Sequence, residues 1–66
     1  MNESQNRKIL AHLMQGKGIS AMLAVKMFDC YRLGARIFDL RSRGHNIKTT
    51  MVEHNNKRFA LYNLEK

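Results

Sequence analysis

The side chains with the clearest chemical potential in this sequence are cations. Arg32, Arg36 and Arg43 stand in one segment with Ala35 and Asp39. A guanidinium is a planar fork of donors that matches paired acceptors, such as phosphate oxygens or the O6 and N7 of guanine. Ala35 is small enough to let a partner approach closely, and a thymine methyl would suit it. Asp39 follows Arg36 by three residues and precedes Arg43 by four, so pairing within a solvated helix competes with outward contacts. A second set comprises Lys48, Asn55, Asn56, Lys57 and Arg58. From Arg32 to Arg58 there are seven basic residues against two acidic ones. A third set is Lys17 with Ser20, placed where a helix begins and where anions are attracted. Across the whole sequence, 12 Lys and Arg face 5 Asp and Glu, a formal net charge of +7. That balance favours an acidic polymer or surface as partner.

Other chemistries find less support. Cys30 is the only cysteine, so no disulfide forms within the chain, and a reduced setting is expected. His12, His45 and His54 lack the spacing of zinc ligands. Cys30 and His45 do not make a nucleophile with its base, because no third group or oxyanion site accompanies them. Gly16-Lys17-Gly18 is too short for a phosphate-cradling loop of the P-loop kind. No enzyme, metal or cofactor is expected. No apolar run approaches the ~20 residues that cross a bilayer. The polar start of the sequence lacks the apolar stretch of a signal peptide, so a cytoplasmic location is expected.

To meet one partner, the arginines must ride on one element. Leu33, Ile37 and Leu40 recur at four and three residues, which predicts a helix over roughly 32–43 with one narrow apolar stripe. Arg32, Ala35, Arg36, Asp39 and Arg43 fall away from that stripe, and Gly44 ends the helix. Ahead of it, Ser20 caps a predicted helix over 21–28. That segment carries Met22, Leu23, Val25, Met27 and Phe28, so burial on more than one side is expected. Asp29-Cys30-Tyr31 breaks it, with Cys30 expected in the turn or core. A first helix starts from a cap at Asn2 or Ser4 and runs to about Gln15. Its apolar face holds Ile9, Leu10, Leu13 and Met14, with Arg7, Lys8 and an exposed His12 off that face. Met14, Met22 and Met27 are expected to fill a small core. Gly16-Lys17-Gly18 closes the first helix, and Ile19 can bridge to a sheet.

Residues 45–53 and 57–64 are rich in strand formers, including Ile47, Thr49, Thr50, Val52, Phe59 and Tyr62. Between them, Asn55 and Asn56 tolerate the positive φ of a tight hairpin turn. The order is helix, short bridge, helix, helix, hairpin. This predicts one α+β domain over residues 1–66, a winged helix-turn-helix of three helices followed by a two-stranded β-hairpin wing. Such a domain would place its third helix in the major groove of double-stranded DNA, with the wing on the backbone or minor groove.

The stretch from Arg32 to Ile47 has the pattern R-L-x-A-R-I-x-x-L-R-x-x-G-x-x-I, which resembles the small phage and prophage helix-turn-helix domain family. Asn6-Arg7-Lys8-Ile9-Leu10 and Ala60-Leu61-Tyr62-Asn63-Leu64 extend the resemblance over nearly the whole chain. It implies a winged-helix fold, a phage or prophage source, and sequence-specific DNA binding in transcriptional control. Related sequences often carry glycine and an aliphatic residue where this chain has Asp29 and Cys30. The pattern leaves two roles for Arg36 and Arg41, which either meet DNA or brace the wing or a helix end. Two other uses of the same fold stand beside the regulator. One is an interaction module that inhibits a host protein, and the other is an excisionase-like architectural factor. A homodimer or a cooperative assembly on DNA is also expected, because a domain this small covers only ~600–1,000 Å² of duplex.

Overall fold

The computed structural model describes residues 2–65. The chain order is α1 (Asn2–Met14), β1 (Ile19–Ser20), α2 (Ala21–Phe28), α3 (Leu33–Ser42), β2 (Ile47–His54) and β3 (Lys57–Leu64). The strands form one antiparallel sheet in the order β1-β3-β2. Three helices pack on one face of it. The expected bridge is made by Ile19, which pairs with Tyr62 and adds a third strand to the hairpin.

Local chemistry sets most of the boundaries. Gly16 closes α1 with φ +83, a left-handed conformation that costs glycine little. Ser20 caps α2, its Oγ accepting from the Leu23 N–H at 3.3 Å. At the other end Asp29 takes the left-handed conformation, φ 53 and ψ 35, and the Cys30 N–H donates back to the Ala24 carbonyl at 3.1 Å. Aspartate is among the few non-glycine residues that enter this region readily. Asp29 therefore does the work of the glycine found in related turns, and Cys30, 1% exposed, packs into the core where an aliphatic residue would. Gly44, φ +99, reverses the chain after α3, and the His45 N–H returns to Leu40. That closure delays β2 to Ile47, two residues later than expected. Asn55 and Asn56 both have positive φ, as a two-residue type I′ hairpin turn requires.

The core comprises Ile9, Leu13, Ile19, Ala24, Cys30, Leu33, Ile37, Leu40 and Ile47, with Leu10, Leu23, Phe28, Tyr62 and Leu64 packed against it. Several expectations are corrected here. Met14, Met22 and Met27 are 59, 70 and 51% exposed, so none fills the core. In α2 only Ala24 is fully buried, and the helix presents Met22 and Met27 to solvent. The buried stripe of α1 runs through Asn6, Ile9 and Leu13, which leaves Met14 beyond its edge. Ser4 lies inside α1, not at its cap, because the helix already begins at Asn2; the side chain of Asn2 lies outside the described residues. His12 is buried, not exposed. Its Nε2 lies 3.0 Å from the Gly18 carbonyl oxygen, and its ring meets Phe28 edge-on at 5.8 Å. It thus ties α1 to the start of β1 and to α2. No helix among the described residues is long and apolar enough to cross a membrane.

Candidate nucleic-acid interface

The candidate surface is built on α3. Leu33, Ile37 and Leu40 hold one side of the helix in the core. The opposite side carries Ala35, Phe38 and Ser42, with Asp39 beside them. Phe38 is 69% exposed, whereas Ala35 and Asp39 are half-buried. Gly34 is exposed, and a side chain there would meet no atom within 4 Å. The most outward part of the helix is therefore small or apolar.

The arginines occupy its flanks and ends. Arg32 stands exposed at the entry to α3 without a side-chain capping bond. Arg36 is laid against the protein, its side chain 11% exposed and paired with Asp39 at 3.4 Å. Its Nε is buried with no hydrogen-bond partner among the described residues. Arg43 turns towards α1, where both terminal nitrogens donate to the Glu3 carboxylate, one at 2.9 Å. These bonds, more than any other influence, hold the Glu3 carboxyl below its ordinary range and push the Arg43 guanidinium up. Arg41 points to the wing. Its Nε and Nη2 donate to the Ile47 carbonyl at 3.0 and 2.8 Å, and Nη2 also donates to Thr49 Oγ1 at 2.8 Å. Of the two roles open to Arg41, the structure shows the brace. Beside the entry to α3, the neighbouring Asp29 carboxylate raises the Tyr31 phenol above its ordinary range.

The wing divides the second set of residues. In β2, Ile47 and Thr49 face the helices, so Lys48 and Thr50 lie on the opposite face of the sheet. Lys48 is 3.7 Å from Glu65 there. Asn55, Asn56, Lys57 and Arg58 cluster at the exposed tip. The chain also brings Ser20 to this tip. Ser20, His54, Asn55, Lys57 and Arg58 line a groove there together with the apolar Ala21, Met22 and Phe59. Lys17 is exposed in the turn before β1. No salt bridge among the described residues engages Arg32, Lys17, Lys57 or Arg58.

The first-chosen arginines thus do not form one outward row. Arg32 is open, whereas Arg36 and Arg43 are held by carboxylates of this chain. Reasoning from the sequence missed Phe38 on the outward face and the groove lined by Met22 and Phe59. The Phe38 signal was available, since it lies off the Leu33/Ile37/Leu40 stripe by helical period.

Three helices, an antiparallel sheet and a hairpin braced to the third helix describe a winged helix-turn-helix. A family model described as a winged helix-turn-helix domain matches residues 4–66. The chain belongs to that family. No curated protein and no solved structure matches it. As a winged helix-turn-helix domain it points to DNA as its partner.

Proposed function

We propose that this winged helix-turn-helix domain binds double-stranded DNA in a sequence-specific way and acts as a transcriptional regulator of the phage or prophage type, as a binding module and not an enzyme. The helix α3 enters the major groove, and the hairpin tip lies on the adjacent backbone or minor groove. The observation that carries this reading is a set of exposed cations that no salt bridge among the described residues engages. Arg32 opens α3, and Lys57 and Arg58 mark the tip of the wing that Arg41 ties to that helix. Arg32 takes a base edge or a phosphate at the helix entry. Asn55, Asn56, Lys57 and Arg58 take phosphates or the minor-groove edge, and Lys17 with Ser20 meets the backbone beside α2. Arg36 and Arg43 act chiefly by positioning α3, because their guanidiniums already pair with Asp39 and Glu3. Lys48 contributes to the general field from the far face of the sheet. Two copies on one operator would supply the area that one small domain lacks. Titration of a labelled duplex at several salt concentrations tests the reading. Binding should weaken steeply as salt rises, and no binding to any duplex would refute it.

A second reading is favoured by a separate observation. Met22, Tyr31 and Phe38 are each at least 69% exposed, an uncommon display of large apolar groups for so basic a domain. In that reading the domain docks on an acidic host protein. A partner retained from lysate after nuclease treatment, together with no affinity for duplex, would favour it.

A further inference from the structure

We propose that the outward face of α3 reads thymine 5-methyl groups, with Phe38 as the specificity-determining side chain and Ala35 beside it. This rests on the reading that α3 enters the major groove.

The argument begins from what that face can offer. Phe38 projects 69% exposed, and its neighbours one turn back, Gly34 and Ala35, are too small to shield it. An added Cβ at Gly34 would meet no atom within 4 Å, so the Phe38 ring stands clear of that residue and open to a partner. The polar groups nearby are already committed. The Ser42 hydroxyl donates to the Phe38 carbonyl at 3.0 Å. Arg41 is spent on Ile47 and Thr49, Arg43 on Glu3, and Arg36 on Asp39. The centre of the face therefore presents apolar surface, with the part-exposed Asp39 carboxylate beside it and its few donors at the margins.

Each base pair shows a distinct set of groups in the major groove, and the only methyl among them is the 5-methyl of thymine. An aromatic ring flanked by a glycine and an alanine is complementary to that group and to no hydrogen-bonding edge. The charge of the chain supports a nucleic acid in this place. With a net charge of +7 and Arg32 open at the same helix's start, a polyanion is drawn to the surface. Phosphate contacts then supply affinity at the margins, and methyl contacts supply discrimination at the centre.

The test uses a duplex recovered by selection from a random library, synthesised once with thymine and once with deoxyuridine at every thymine position. The two duplexes share their hydrogen-bonding edges and differ in the methyl groups. The wild-type domain should bind the deoxyuridine duplex more weakly, by roughly fourfold for each methyl contacted. Phe38→Ala should bind both duplexes with nearly equal affinity, and Phe38→Leu should keep part of the preference. Phe38 is exposed, so these variants should fold, and their circular dichroism should match the wild type. Equal wild-type affinity for the two duplexes overturns the inference and leaves DNA binding standing. Discrimination that survives in Phe38→Ala also overturns it, by assigning the methyl contact elsewhere. If no duplex binds at all, the proposed function falls and takes this inference with it, leaving the exposed aromatic surface to a protein partner.

Discussion

Arg41, in the last turn of α3, and Arg43, just past its end, lie two positions apart yet do different work. Arg41 satisfies the Ile47 carbonyl twice over and reaches Thr49, so one guanidinium fixes the angle between helix and wing. Arg41→Met keeps the aliphatic stem and removes the donors. It should destabilise the domain by about 1–3 kcal/mol, because a part-buried carbonyl loses a charged partner; urea denaturation measures this. Arg43 forms an exposed pair with Glu3, which contributes little at high dielectric. Its sign is nonetheless defined. Arg43's hydrogen bond lowers the Glu3 carboxyl from its ordinary 4.5 in the folded state. The stabilisation is therefore present above 4.5 and is lost as pH falls through the lowered folded value. Glu3→Gln should flatten that part of the acid limb of the stability profile, as followed by urea midpoints from neutral pH downwards. An unchanged acid limb would assign it to other carboxylates.

At the scale of elements, backbone fit decides. Gly18 approaches β3 so closely that an added Cβ would lie 2.8 Å from Asn63 Oδ1 and 3.0 Å from Leu61 Cγ. Gly18→Ala should cost about 1–3 kcal/mol through overpacking, read as a lower melting temperature, whereas an unchanged melting temperature would mean that the Asn63 and Leu61 side chains yield freely. That close approach was not visible in the sequence, where Gly18 reads only as part of a helix stop. Features set within a few residues were legible: the Ser20 cap, the closing Gly44, the Asn55-Asn56 turn, and the Leu33/Ile37/Leu40 stripe. Features set by packing between elements were not. His12 reads as an exposed polar residue, yet its contacts with Gly18 and Phe28 come from elements that follow in the chain. Met22 and Met27 read as core, yet on the eight-residue α2 the packed side chains are Leu23, Ala24 and Phe28. The same limit applies to the candidate surface. Its cationic composition was legible, but whether a given arginine faces outward depended on where Glu3, Asp39 and the Ile47 carbonyl came to lie.

For the whole molecule, the small core and the sheet act as a frame that presents a helix and a hairpin tip together. Its excess of positive charge acts over the distance of a Debye length, about 8 Å at physiological salt. In the proposed function it would draw a duplex in before any base is read. Lys57 and Arg58 stand at the exposed tip, with no salt bridge to either among the described residues. The most direct measurement is the affinity of wild type and of a Lys57→Ala/Arg58→Ala variant for one labelled duplex, between about 50 and 200 mM salt. The prediction is a linear fall of log affinity with log salt, with the variant's slope shallower by about 0.9 for each phosphate contact removed. A duplex that is not bound, or an affinity indifferent to salt in both proteins, would contradict the account.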